Sequence, residues 1–140
     1  MTETLPEFGH SIAYVPPIGF HELKGAALVI RPTRVSSVTI NVYGREDVEV
    51  VIADMYVLDG DNSGHLEVDR KFFGSFLNEA LRNVLDGGVG VIVARVNEGR
   101  FYDTRGYSLP FRYFQPVNLL TDKELLVQAE VVAKAQGWMD

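Results

Sequence analysis

Arginine and aromatic residues are interleaved along Ala94–Phe114, and this mixture of side chains is suited to holding a single nucleic-acid strand. Guanidinium groups pair with phosphates, and aromatic faces stack on bases, contributing about 1–3 kcal/mol per stacked base. The candidate DNA-binding residues of this segment are Arg95, Arg100, Phe101, Tyr102, Arg105, Tyr107, Arg112 and Tyr113. Phe111 and Tyr113 face one way along a strand and Arg112 and Phe114 the other, so some of these aromatics pack in the core.

A second stretch earlier in the chain has the same character. Its candidate residues are Arg31, Arg34, Tyr43 and Arg45, which would form the opposite wall of one groove. Tyr56 is a further candidate, and its side chain faces either this groove or the core. The alternative interpretation of the basic residues is that they are scattered surface arginines.

The segment DGDNSGHLE, residues 59–67, begins like a calcium-binding loop, with Asp59, Asp61 and Ser63 at alternate positions and Gly64 at the sixth. Such a loop needs a bidentate Glu at its twelfth position and a helix on either side. Arg70 occupies that position, and both flanks have the composition of strands. We therefore predict an acidic turn (residues 59–65) between two strands, without a functional metal site.

Motifs for catalysis are absent from the sequence. There is no phosphate-binding GxxxxGK[ST] segment, and the three histidines, His10, His21 and His65, have no metal-ligand spacing. Gly87, Gly88 and Gly90 follow a helix, whereas a dinucleotide-binding loop precedes one. We predict a protein that is not an enzyme and has no cofactor.

Composition indicates one folded domain. The chain has 140 residues, 46% of them apolar, and it contains no cysteine. No apolar run approaches the roughly 18 residues of a membrane span, and the acidic N-terminus is unlike a signal peptide, so we predict a cytoplasmic protein. The net charge of −6 argues against a simple nucleic-acid binder, but the charges are segregated. Residues 46–69 carry eight acids and no Lys or Arg, whereas residues 31–45 carry three arginines and no acid.

Periodicity predicts five strands and two helices. The predicted strands are Lys24–Pro32, 48–58, 66–72, 88–99 and 109–117, and the segment up to Gly44 either continues or bends the first one. A loop is predicted over Glu98–Ser108. The first helix begins near Ser75 as cap and ends at Gly87, and the second begins at a capping box formed by Thr121 and Glu124. The first helix carries an apolar stripe that we expect to be core: Phe73, Phe76, Leu77, Ala80, Leu81, Val84 and Leu85.

This order of elements predicts a mainly β protein. It is the order of an OB-fold, a five-stranded Greek-key barrel with a helix between its third and fourth strands, here followed by a C-terminal helix. The predicted organisation is an irregular N-terminal arm (1–22), the OB-fold domain (23–120), and a C-terminal helix and tail (121–140).

The chain also resembles the small single-stranded DNA-binding proteins of phages that infect actinobacteria. The resemblance rests on LKGAALVIRPTRV (Leu23–Val35), VIADMYVLDG (Val51–Gly60), FFGSFLNEALRNVL (Phe72–Leu85) and LLTDKELLVQA near the C-terminus. It covers about residues 20–135 and implies an OB-fold that binds single-stranded DNA in phage replication or recombination. A Trp that the family has after the fourth strand is absent, since the only Trp is Trp138.

We therefore predict a sequence-tolerant single-stranded DNA-binding protein, active in the cytoplasm of a phage's host. Its expected partners are single-stranded DNA and replication or recombination proteins, and no membrane. The sequence leaves oligomeric state open, including a homo-oligomer. The alternative function is a phage structural or adaptor protein that uses the same barrel for protein contacts, which the acidic block over residues 46–69 would favour.

Overall fold

Five antiparallel strands and three helices make up the fold of the computed structural model, which describes residues 18–41, 44 and 46–140. The strands are β1 (Ala27–Ile40), β2 (Glu46–Val57), β3 (Leu66–Phe72), β4 (Ile92–Tyr102) and β5 (Ser108–Pro116). The helices are α1 (Phe20–Leu23), α2 (Ser75–Asp86) and α3 (Lys123–Ala135). The predictions of a mainly β protein, of a helix between the third and fourth strands and of a C-terminal helix are confirmed.

The strands form one sheet in the order β3-β2-β1-β4-β5. β1 is central and pairs with β2 along most of its length, but with β4 only from Ala27 to Ile30. β3 and β5 are the two edges, so the sheet is open in the described residues. Beyond the short pairing with β1, β4 and β5 continue together as a two-stranded hairpin.

Both faces of the sheet are buried at its centre, because successive β1 side chains point to opposite sides. Leu28 and Ile30 contribute to a first core cluster, together with α2 residues Leu77 and Leu81. Ala27 and Val29 contribute to a second cluster on the other face, which includes α3 and Trp138. Burial on two sides explains why the start of β1 is continuously apolar rather than alternating.

The first strand does not end at Pro32, although a proline has no N–H to donate to a neighbouring strand. β1 continues to Ile40, and the register with β2 shifts between Pro32 and Arg34. The Thr33 hydroxyl donates to the carbonyl of Ile52 at 3.0 Å within this irregularity. A bulge thus accommodates the proline inside a long strand.

The predicted helix starts differ in detail from the structure. Gly74 is the N-cap of α2, with φ of 106°, and Ser75 is the first helical residue. The Asn78 side-chain amide donates to the Gly74 carbonyl at 3.0 Å, and its Oδ1 accepts from the N–H of Val51 at 2.6 Å. Asn78 therefore anchors the helix start to β2.

Gly87 ends α2 as predicted. The capping box predicted for α3 is wrong, because the N-cap is Asp122 and makes no side-chain capping bond. The Asp122 carboxylate instead accepts from the N–H of Asn118 at 2.8 Å. The Asp122 side chain therefore stabilises the turn that precedes α3 and does not cap the helix.

The predicted loop over Glu98–Ser108 is wrong for most of its length. β4 continues to Tyr102, and its residues pair with β5 from Glu98 opposite Arg112 to Tyr102 opposite Ser108. Only residues 103–107 form the connecting turn. The candidate residues Arg100, Phe101 and Tyr102 therefore lie on a strand.

The N-terminal arm lies mostly outside the described residues, which begin at residue 18. Its last part forms the one-turn helix α1 instead of irregular chain, and Leu23 of this helix is fully buried. In the part of the chain that the structure describes, no helix has the length and apolarity needed to cross a membrane.

Candidate nucleic-acid interface

The turn that joins β4 to β5 (residues 103–107, the hairpin turn) is organised by a single carboxylate. Asp103 Oδ1 accepts from the backbone N–H of Arg105 at 2.9 Å and of Tyr107 at 3.0 Å, and Oδ2 accepts from the Arg105 guanidinium at 2.8 Å. Gly106 has a φ of 86°, which favours glycine. The bond from the Arg105 side chain, with the backbone bonds, lowers the pKa of the Asp103 carboxyl below its usual range.

Three aromatic rings are exposed around this turn. Tyr102 is 74% exposed, Tyr107 62% and Phe101 45%. The Arg105 guanidinium carbon lies 5.0 Å from the centre of the Tyr107 ring, within cation–π range. Exposed rings of this kind present flat surfaces to solvent on which a base can stack.

Arg100 directly precedes Phe101 and Tyr102 in the sequence and has a neutral partner. Its Nε donates to the Ser108 hydroxyl at 2.6 Å, and its Nη2 approaches the Ser108 carbonyl at 3.3 Å. Among the described residues, no carboxylate forms a salt bridge with it. Its charge is therefore available to an anion, and the cross-strand serine holds the guanidinium in place.

A groove of about 360 Å³ runs beside the hairpin, between α2 and β5. We call it the aromatic groove; its rings come from Phe73, Phe76, Phe101 and Phe111. The rings of Phe76 and Phe111 are 5.0 Å apart, and those of Phe101 and Phe111 are 6.0 Å apart. The groove connects the exposed hairpin to the body of the protein.

Phe73 and Phe76 were predicted as core, and this prediction is wrong for both. Phe73 is 48% exposed and Phe76 is 51% exposed, whereas Leu77 and Leu81 of the same stripe are fully buried. Phe73 precedes α2 and Phe76 lies in its first turn, beyond Leu77 and Leu81, the α2 residues of the core cluster. Sequence periodicity gave no signal of this, because it identifies a helix face and not how far the opposing surface extends.

Gly99 makes room for the floor of the groove. It pairs with Phe111 across the hairpin, and a Cβ at this position would lie 2.6 Å from the Phe111 ring. The ring therefore lies over the glycine, in a space that any other side chain would occupy. The sequence signal was a glycine opposite an aromatic residue, which becomes visible only when the register is known.

Arg112 and Tyr113 line the two sides of β5. Arg112 Nε lies 3.9 Å from Oε2 of Glu98 on β4, and the Arg112 guanidinium carbon lies 5.5 Å from the centre of the Phe20 ring. Tyr113 stacks near Phe111, with ring centres 5.6 Å apart. Phe114, on the Arg112 side, packs against the first core cluster, which identifies the core face of this strand.

Two candidate arginines of β1 form salt bridges with carboxylates on β2 and β3. Arg31 pairs with the buried Asp54 at 2.7 Å, and Arg34 pairs with Asp69 at 3.2 Å. Both arginines lie within β1, not in a loop after it. Arg31 also lies 5.8 Å from the ring of Trp138 on the α3 side of the sheet.

Arg95 links three parts of the chain. Its Nη1 donates to the carbonyl of Gly25 at 2.9 Å and to Asp59 at 3.0 Å, and its Nη2 lies 3.6 Å from Asp122. Only 26% of its side chain is exposed. Arg95 therefore has a structural role that accounts for its position without a ligand.

Tyr56 packs against the second core cluster, and its hydroxyl lies close to Gly64 in the acidic turn. It therefore faces the α3 side of the sheet, away from the aromatic groove. Tyr43 and Arg45 lie outside the described residues.

The acidic turn connects β2 to β3, as predicted, and not two helices. Asp59, the first carboxylate of the calcium-like pattern, accepts from the N–H of Ala27 at 2.8 Å as well as from Arg95. Ser63 donates to the carbonyl of Leu58 at 3.0 Å. Both oxygens of Asp59 are thus bonded to groups of β1 and β4, outside the turn.

Comparisons of the chain with protein-family models, curated proteins and solved structures find no match.

Proposed function

We propose that this protein binds single-stranded DNA, with little sequence preference and without catalysis, through the end of the β4–β5 hairpin and the aromatic groove. The observation that carries the proposal is Arg100, a cation with a neutral partner, followed directly by the exposed rings of Phe101 and Tyr102. A phosphate on the guanidinium would place the neighbouring bases within reach of these rings. Single strands expose both base faces, whereas duplex DNA keeps them stacked.

The aromatic groove supports a path for the strand from the hairpin toward the body of the protein. Its rings succeed one another at 5.0–6.0 Å between centres from Phe76 through Phe111 to Phe101. Arg112 lies at the edge of the groove and is 43% exposed, so it is accessible to a phosphate. Stacking on rings is tolerant of sequence because every base has a π face.

We also propose that the sheet belongs to the OB-fold class. β1 pairs with both β2 and β4, and a helix separates β3 from β4, as that class requires. The two edge strands approach each other, with the rings of Phe72 on β3 and Phe114 on β5 6.1 Å apart. OB-fold barrels are often partly open, and they bind oligonucleotides beside the loop between their fourth and fifth strands, which is the hairpin turn here.

The resemblance to phage single-stranded DNA-binding proteins supports the biological setting that we propose. The protein would coat single-stranded DNA during phage replication or recombination, in the cytoplasm of the host. Replication or recombination proteins would be its partners.

A protein-binding adaptor is the second candidate, and the charge pairing favours it. Arg31, Arg34 and Arg105 are each bonded to a carboxylate, which reduces the positive potential available to DNA. Phe73 and Phe76 are exposed and apolar, and such side chains also suit a protein partner. Binding measurements with DNA distinguish the two functions.

The deciding experiment is fluorescence anisotropy of labelled oligo-dT at a series of salt concentrations, with a duplex of equal length as the control. Asp103 already pairs with Arg105, so we count only Arg100 and Arg112; if each neutralises one phosphate, the logarithm of affinity should fall against the logarithm of salt with a slope of about −1.4. Failure to bind oligo-dT at low salt, or tighter binding of the duplex, would reject the proposal in favour of the adaptor.

A further inference from the structure

The outer side of α3 is apolar, and it faces away from the sheet. Val127 is 66% exposed and Val131 63%, whereas Ala129 between them is 3% exposed and packs in the second core cluster. Residues two positions from Ala129 point about 200° away from it, so both valines lie opposite the packed face. Leu120, 80% exposed, lies just before the helix.

Two charged residues flank the valines on the same side of the helix. Glu124 precedes Ala129 by five residues, and Lys134 follows it by five. Lys134 lies 3.7 Å from Glu130, but this pair is exposed and such pairs contribute little to stability. Along the chain, the outer side of α3 therefore carries an acid, two valines and a base. We call these four residues, Glu124, Val127, Val131 and Lys134, the α3 stripe.

We propose that the α3 stripe is a self-association surface, where α3 of one copy packs antiparallel against α3 of a second copy. A twofold axis at Ala129 places Val127 of one copy beside Val131 of the other, because both are two residues from the axis. The same axis places Glu124 of each copy level with Lys134 of the other copy, so the interface contains this charge pair twice. The stripe is thus complementary to itself in both apolar and charged positions, as a twofold interface requires.

The position of α3 suits this role. Ala129, Ala133 and Trp138 fix the helix and the following tail against the sheet, and Arg95 holds its start through Asp122. The stripe is therefore presented on a fixed helix, and its pairing needs no rearrangement of the core. The proposed DNA groove lies beside α2 and stays open in the dimer.

One helix offers a small interface. A helix of 13 residues is about 20 Å long, which is below the size of a standard stable interface. We therefore expect a dimer that forms in the micromolar concentration range, and whose population rises with protein concentration.

Sedimentation equilibrium of the whole chain without DNA tests the proposal independently of DNA binding. We expect a mass that rises from one chain to two with concentration, and Val127→Lys should weaken this dimer at least tenfold. Gln128→Lys is the matched control, since it adds the same charge at an exposed position beside the stripe, and it should leave the dimer within about twofold. A single-chain mass up to several hundred micromolar, or a dimer that Val127→Lys does not weaken, would overturn the proposal.

Charge reversal gives a second test that does not depend on the valine. Glu124→Lys and Lys134→Glu should each weaken the dimer severalfold, because each places like charges together across the axis. The double reversal should restore the wild-type affinity to within about twofold. A double variant as weak as the two single ones would reject the antiparallel arrangement.

Discussion

Two short turns of this protein use an aspartate in opposite ways. In the acidic turn, Asp59 bonds to Ala27 and Arg95, which belong to other strands. In the hairpin turn, Asp103 bonds to Arg105 and Tyr107, which belong to the turn itself. The first turn is therefore tied to the fold, whereas the second closes on itself and leaves its neighbours exposed.

The difference shows that an aspartate and a glycine in a turn do not reveal what the turn does. Because the partners of Asp59 are distant in the sequence, the acidic turn connects separate strands of the fold. Because its partners are local, the hairpin turn leaves the rings of Tyr102 and Tyr107 exposed at the end of two long strands.

The largest expected effect is on stability, for Asp59→Ala. The substitution removes the acceptor for the Ala27 N–H and the carboxylate partner of Arg95, so we expect the free energy of unfolding to fall by roughly 2–3 kcal/mol. Chemical denaturation measures this change. Asp61→Ala, at an exposed position two residues on, should change stability by less than about 0.5 kcal/mol and leave oligo-dT binding unchanged or slightly stronger. Equal losses for both variants would show that the acidic turn is not tied through Asp59.

Tyr102→Ala should have the largest effect on DNA binding. Because the ring is 74% exposed, its loss should leave the fold intact while weakening oligo-dT binding by roughly 1–3 kcal/mol at unchanged salt slope. Anisotropy titrations at several salt concentrations give both quantities. Tyr102→Phe keeps the ring and should bind like the wild type; if it is as weak as the alanine variant, stacking is not the contribution of this residue.

Arg100→Ala should flatten the salt slope by about 0.7 unit, which corresponds to one phosphate contact with a single strand. The same titrations measure it. Arg34→Ala is the matched control, because Asp69 already pairs with that arginine and the slope should not change. A larger change in salt slope for Arg34→Ala than for Arg100→Ala would indicate that the phosphates lie along β1.

The smallest effect concerns the titration of Asp103. The folded-state pKa is lowered, so the stabilisation of the turn is present above the usual carboxyl range and is lost as pH falls through the lowered pKa. Arg105→Ala should raise this pKa, since the Arg105 side chain is its main cause. Carboxyl carbon shifts in an NMR pH titration report it, and an unchanged pKa would mean that the backbone donors of the turn alone lower it.

Sequence patterns predicted the elements better than the contacts between them. β3 has the predicted bounds because turn residues mark both ends, although Glu67 is buried and Val68 is exposed, opposite to what their apolar alternation suggests. The hairpin was misjudged because Gly99 and the polar residues after it have the composition of a loop. Their strand conformation depends on pairing with β5, and the ring of Phe111 fills the space beside the glycine.

The candidate site was predicted in part. The interleaving of arginine and aromatic residues singled out Arg100, Tyr102 and Tyr107, which are exposed in the structure; their binding of DNA stays a prediction. The structural roles of Arg31 and Arg95 could not be predicted from the sequence, because their carboxylate partners lie 23 and 36 positions away. An arginine near aromatic residues looks the same in the sequence whether its charge is free or already paired.

Trp138 gives the molecule a built-in optical reporter. The indole is 9% exposed, packs with Ala129 and Ala133, and lies under the Arg31 guanidinium. As the single tryptophan of the chain, it makes emission under selective excitation specific to the docking of α3 on the sheet. The hairpin tyrosines lie elsewhere, so we expect tryptophan emission to report unfolding and the docking of α3, and a ligand on the hairpin should leave it unaltered.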